Sequence, residues 1–131
     1  LVHDFAKSAE KKGTKVIIAA AGGAAHLAGV IASMTRLPVI GIPMETGSLN
    51  GMDSLFSTVQ MPYGEPVATM AIGKSGARNA SIFALQILGL TDNRIARELN
   101  AFKKRLEADV VAKNKKLILK DSPSRSTKGR D

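Results

Sequence analysis

The 131-residue sequence contains no cysteine, which excludes disulfides, thiolate catalysis and cysteine-ligated metal centres. Tryptophan is also absent, and one tyrosine with four phenylalanines leaves aromatics at 4%. The core must therefore be built from Ala, Ile, Leu, Val and Met, a set that suits helices packed tightly on a sheet. The two histidines have no H-x-x-x-H spacing, so no metal set emerges. No paired carboxylates suggest glycosidase chemistry, and no G-x-S-x-G suggests a hydrolase. There is no apolar run of about 18 residues or more to span a membrane. Residues 1–20 lack the charge, core and cleavage-site order of a signal peptide.

What is present is apolar and basic. Hydrophobic residues make up 44% of the chain and charged residues 23%, ordinary values for a globular protein large enough to bury a core. The net charge of +8 is unevenly placed. Residues 1–91 hold seven Lys/Arg against five Asp/Glu, whereas residues 92–131 hold twelve against six. The basic excess thus belongs to the C-terminal third. No stacking aromatics are interleaved with it, which argues against single-stranded nucleic acid as a partner.

Hydrophobic patterning divides the chain into alternating elements. LVHDFAKSAEKK (1–12) reads as an amphipathic helix ended by Gly13. KVIIAA (15–20) reads as a parallel strand buried on both faces, broken by Gly22 and Gly23. A helix from about Leu27 to Met34 follows, then a short β-rich run, LPVIGIP (37–43). After a loop at 44–50, a helix spans Met52–Gln60, a third strand 66–72 and a helix 75–88. Strands alternating with helices predict a parallel α/β sheet with right-handed crossovers.

Residues 92–117 form one further predicted helix, with Asp92 as a cap. Its apolar residues Ile95, Leu99, Phe102, Leu106 and Val110 make a narrow seam. That seam either folds back on its own domain or docks on a neighbouring subunit. The expected organisation is an α/β core at 1–91, this helix at 92–117 and a basic tail at 118–131 with the composition of disorder.

Chemistry concentrates in loops that follow strands. AAAGGAAHLAG (19–29) carries a hydrophobic strand into a small-residue turn ending at His26. Alanine and glycine there let backbone approach a ligand closely and leave amides available to an anion. His26 either donates a hydrogen bond or shuttles protons near neutrality, or it simply caps the following helix. AAGGAA does not match the dinucleotide G-x-G-x-x-G fingerprint. Gly73-Lys74-Ser75 ends like a phosphate loop, but Ala68 stands where that motif requires glycine, which excludes a nucleoside-triphosphatase. In TGSLNGMDSL (46–55), Asp53 and Ser54 are candidate helix caps, and Ser48 is better placed to face a ligand. Arg78 and Asn79 read as structural residues at a helix start, and His3 carries no assigned role.

AGGAAHLAG, LPVIGIP, SLNGMDSLFSTVQMP, GEPVATMAIG and GARNA together resemble the N(5)-carboxyaminoimidazole ribonucleotide mutase family. This is the PurE-type enzyme of purine biosynthesis, also called the phosphoribosylaminoimidazole carboxylase catalytic subunit. The resemblance covers roughly residues 1–110 and favours the mutase branch over the branch that uses free carbon dioxide. It implies a flavodoxin-like three-layer α/β/α sandwich with a parallel sheet, a C-terminal helix used in oligomer contacts, and a cytoplasmic homo-octamer. The implied reaction moves a carboxylate from the exocyclic nitrogen of the ribonucleotide to ring carbon 4, with no metal or organic cofactor. Functional coupling to the ATP-dependent carboxyaminoimidazole ribonucleotide synthetase is also implied. Carried onto this sequence, the family's substrate-binding residues are Gly22, Gly23, Ala24, Ala25 and Leu27, with Ser48, Leu49 and Met61, and His26 is an auxiliary catalytic group.

The sequence departs from the family in several places. The family's Gly-Ser-x-Ser-Asp loop and Ser-Ala-His-Arg segment, the latter holding the principal catalytic histidine, do not occur in residues 1–131. Ala28 stands where the family usually has proline, and Thr46-Gly47 is atypical for the second loop. The expectation is the C-terminal three-quarters of such a mutase. The competing expectations are a catalytically silent subunit or fragment that only assembles or binds ligand, and a generic flavodoxin-like nucleotide-binding module.

Overall fold

The computed structural model describes residues 1–121, with side chains through Ile118. Its elements are α1 (Val2–Ala9), β1 (Ile17–Gly22), α2 (His26–Ala32), β2 (Val39–Met44), α3 (Met52–Val59), β3 (Ala68–Thr69), α4 (Gly73–Gly89) and α5 (Asn93–Asp121). A short 3-10 turn at Gly47–Leu49 lies between β2 and α3. The strands form one parallel sheet in the order β1-β2-β3.

Side-chain alternation along the strands sorts the helices into layers. Ile17, Ala19 and Val39 point to one face, where they meet Ala6 and Ala9 of α1 and Ala28 and Ile31 of α2. Ile40 and Ile42 point to the other, where α4 lays Ala77, Ala80 and Ala84 against them. Small helical residues bring α4 close to the sheet, consistent with a core short of aromatics. The result is a three-layer α/β/α arrangement, as the flavodoxin-like expectation required.

Several elements differ from expectation in informative ways. β1 is shifted to residues 17–22 and is buried on one face only, with Ile18 43% exposed. The cause is placement: β1 is an edge of the sheet, and the second face is covered chiefly where α4 lies against β2. The third strand shrinks from the expected 66–72 to Ala68–Thr69. Pro66 has no N–H to donate at its start, and after Met70 N–H bonds Gly41 O at 2.9 Å the chain turns into α4.

The long helix ends four residues later than expected, at Asp121 rather than 117. Leu117–Lys120 contains no helix breaker, and the first stop signal is Pro123. The remainder of the predicted tail, residues 122–131, lies outside the described residues. The first part of the α5 seam folds back: Ile95, Leu99 and Phe102 line a cavity of about 560 Å³ against Ile82 and Leu85 of α4. Leu106 and Val110 continue the seam but are exposed, so only its first part folds back on the α/β core.

Asp92 caps α5 as expected, its carboxylate accepting N–H bonds from Arg94 (2.8 Å) and Ile95 (3.2 Å). The Ile95 and Arg94 amides favour the ionised form and hold this carboxyl below its ordinary 3.8. A depressed folded-state value stabilises the fold above the unfolded value, and that contribution disappears as pH falls through the folded value. Asp92→Ala should therefore lower the thermal midpoint at neutral pH. The gap from wild type should close on acidification below 3.8, checked by melting both proteins across pH 2–7.

Candidate functional site

The site begins where β1 ends. Gly22 closes the strand, Gly23 takes φ +61°, and Ala25 takes φ 41° and ψ 39°, a left-handed conformation unusual for a residue with a Cβ. Ala25 is also buried, at 3% exposed, and its N–H bonds Gly22 O at 3.1 Å. The turn is thus tightly wound and holds local backbone strain, a feature that concentrates at functional positions. Its small residues are required by geometry as well as by ligand approach.

That strain has a measurable signature. Ala25→Gly removes a buried methyl worth about 0.8 kcal/mol but relieves a left-handed penalty of about 1 kcal/mol, so stability should change little. Ala25→Val should destabilise by about 2–3 kcal/mol, because a β-branched side chain is poorly tolerated at positive φ. Urea unfolding of the two variants distinguishes these outcomes.

His26 is the first residue of α2 and is exposed. Its side chain makes no capping bond, and Ala25 occupies the N-cap position. The capping role considered for His26 is therefore not the one it fills here. The imidazole has no hydrogen-bond partner among the described residues and is open to a ligand. Leu27 points differently: its side chain packs against the core formed by α1, β1 and α2, leaving its backbone as the part that can meet a ligand.

The second loop is brought to the first by Thr46. Gly23 N–H donates to Thr46 Oγ1 at 2.8 Å, and the Thr46 side chain fills the space a Cβ on Gly22 would need. This bond places the adjacent turn Gly47–Leu49, with exposed Ser48 and Leu49, beside the glycine turn. Met61 is placed by a different contact. Its Sδ and Cε lie 3.1 Å from where a Cβ on Gly29 would stand, so it rests on α2 one turn beyond His26. Met61 also lines an open groove of about 600 Å³ with Tyr63 and Val67.

Asp53 and Ser54 do not cap α3. Gly51 holds the N-cap position, at φ +86°, where no side-chain cap forms. Ser54, fully buried, instead lies within donating distance of Met44 O (2.7 Å) and Gly51 O (2.8 Å), tying the helix start to the end of β2. Asp53 Oδ1 is buried without a partner. Arg78 and Asn79 are exposed on α4. Thr46 is the site-forming residue that the motifs missed; its signal was the departure from the family pattern at Thr46-Gly47.

Among the described residues, no group of three or more His, Asp or Glu side chains is placed to hold a metal ion. No described helix is long and apolar enough to cross a membrane. Chemically, the site offers closely approachable backbone, one unpartnered imidazole and a small polar loop.

The fold defines an α/β protein with a parallel sheet, whose glycine turn and adjoining loop lie at the strand ends, the position where open parallel sheets bind ligands. The family model for AIR carboxylase matches residues 1–109, and the chain belongs to that family. The N5-carboxyaminoimidazole ribonucleotide mutase of Thermotoga maritima is 54% identical over 116 residues, covering 88% of this chain and 67% of that protein. The enzyme of the same name from Saccharolobus solfataricus is 55% identical over 108 residues, 82% of this chain and 67% of its own length. That of Escherichia coli is 53% identical over 113 residues, 86% and 66% respectively. The match thus spans about two thirds of the length of these relatives.

Proposed function

We propose that this chain carries one wall of an N(5)-carboxyaminoimidazole ribonucleotide mutase site in purine biosynthesis. The observation that carries the reading is His26, exposed and unpartnered, at the end of the strained Gly22–Ala25 turn. The reaction exchanges an N–CO₂⁻ and a C4–H for an N–H and a C4–CO₂⁻, so no proton is gained or lost overall. Carbon dioxide leaves the exocyclic nitrogen, which takes up a proton. Ring carbon 4 then captures the carbon dioxide and loses its own proton. The chain's part is to hold the carboxylate against the Gly22–Ala25 backbone, with His26 as an auxiliary hydrogen-bonding and proton-relaying group. Ser48 and Leu49 cover the base, Leu27 contributes backbone, and Met61 lines the pocket. Excluding water keeps the carbon dioxide from escaping.

The remaining parts of the reading follow from the same family. Residues 1–91 act as the α/β core and α5 as a subunit contact, which its exposed Leu106 and Val110 support. The assembly is a cytoplasmic homo-octamer, coupled functionally to the ATP-dependent synthetase that supplies the substrate. No metal or organic cofactor takes part. Titrating 4-carboxy-5-aminoimidazole ribonucleotide into the ¹⁵N-labelled chain tests the reading. The amides of Gly22–Leu27, Ser48 and Leu49 should shift while those of α5 stay put. Absence of shifts at the glycine turn, or shifts confined to other elements, would contradict it.

A further inference from the structure

We infer that Thr46 is a positioning residue of this site, a clamp that fixes the glycine turn and the second loop in one mutual geometry. The inference rests on the reading of the site given above. Thr46 has extended backbone (φ −143°, ψ 140°) and precedes the 3-10 turn Gly47–Leu49 as its N-cap residue. A threonine at such a position ordinarily turns its oxygen onto its own helix. Here no such bond forms, and Oγ1 reaches 23 residues back to accept the Gly23 N–H at 2.8 Å.

Shape reinforces the bond. A Cβ built on Gly22 would collide with Thr46 Cγ2 and lie 2.9 Å from Oγ1 and 3.2 Å from Cβ. Gly22 is therefore the socket for the threonine side chain, and both ends of the side chain are used. The methyl fills the gap at Gly22 and the oxygen takes the Gly23 amide.

Two consequences bear on the ligand. Gly23 N–H and Ala25 N–H are both spent within the protein, on Thr46 Oγ1 and Gly22 O. Ala24 N–H, for which no partner is found among the described residues, stays available to a carboxylate. The hydroxyl proton of Thr46 has no acceptor among the described residues, so accepting from Gly23 does not exhaust its bonding. Without the clamp, the Gly47–Leu49 turn keeps no side-chain bond to the glycine turn.

The test compares Thr46→Val, which keeps the shape and loses the acceptor, with Thr46→Ser, which keeps the oxygen and loses the methyl. Amide exchange of Gly23 and ¹⁵N relaxation of residues 47–49 are measured on the unliganded chain. Exchange and loop motion should rise clearly in Thr46→Val and stay near wild type in Thr46→Ser. In the same samples, affinity for 4-carboxy-5-aminoimidazole ribonucleotide should fall by about fivefold in Thr46→Val, the worth of one neutral hydrogen bond. Thr46→Ser should recover most of it. Gly23 exchange that is equally fast in wild type and Thr46→Val overturns the clamp, as does unchanged loop relaxation or unchanged affinity. A wild-type chain that binds no ribonucleotide instead counts against the proposed function, and the exchange and relaxation data then judge the clamp alone.

Discussion

Gly76→Ala is expected to destabilise the protein by at least about 3 kcal/mol, at or beyond the upper end of ordinary overpacking. The sign is the reverse of what helix propensity predicts, since replacing a helical glycine by alanine ordinarily gains up to about 1 kcal/mol. Gly76 lies in the first turn of α4 and is buried against the chain that leads in from β3. A Cβ there would run into the Ala71 carbonyl, with the Ala71 carbonyl carbon 2.7 Å and its nitrogen 3.3 Å away. These are backbone atoms, so no rotamer change relieves the clash and α4 must move off the sheet. Ala80 and Ala84, which seat α4 on Ile40 and Ile42, would move with it. With total stabilities of about 5–15 kcal/mol, a loss of this size removes a large share of the margin. Gly73→Ala is the matched control: its φ is +70° but nothing lies within 4 Å of the added methyl. It should lose only about 1 kcal/mol, from the unfavourable backbone conformation. Urea unfolding of both variants checks the pair, and a neutral Gly76→Ala would contradict the close seating of α4.

In a chimera that supplies the Gly-Ser-x-Ser-Asp and Ser-Ala-His-Arg segments from a mutase of the family, His26→Asn should slow carboxylate transfer by about tenfold, less than the 10²–10⁴-fold typical of a principal acid–base group because His26 is assigned an auxiliary part. Asparagine keeps a polar, hydrogen-bonding side chain of similar reach but cannot take up and release a proton near neutrality. The side chain is exposed and bonded to nothing among the described residues, so the fold should be indifferent to the change. Melting temperature should move little while the rate falls. If stability and rate fall together, His26 is a structural residue after all. If neither changes, it has no part in the site.

The α/β class was readable because its signal is redundant: three short apolar runs, each followed by a small-residue turn and a helix, leave few other topologies. Local caps were readable where one side chain decides them, as at Asp92, whereas α1 ends at Ala9, short of the expected 12, and Gly13 (φ +86°) closes the turn that follows it. The half-exposure of β1 was not readable, because Ile17 and Ile18 are the same residue type and only the lateral position of α4 separates their fates. Ser54 and Thr46 show the same limit from the other side. Both are helix-start residues of the capping type, yet neither accepts an N–H of its own helix: Ser54 reaches Met44 O as well as Gly51 O, and Thr46 accepts the Gly23 N–H. Propensity describes what a residue does locally, and tertiary partners redirected both. The site loops were visible as glycine-rich turns, whereas the contact that joins them depends on a pairing across 23 residues that no local pattern records.

Whether these residues do the work of a mutase site is tested by a chimera. The stretch of the Thermotoga maritima enzyme that aligns with this chain, 116 residues at 54% identity, is replaced by this chain's own residues. Conversion of N(5)-carboxyaminoimidazole ribonucleotide to 4-carboxy-5-aminoimidazole ribonucleotide is then followed. The account predicts turnover within about tenfold of the parent, the allowance of 1.4 kcal/mol for altered packing. A chimera that folds and assembles as the parent does, yet transfers no carboxylate, would contradict it.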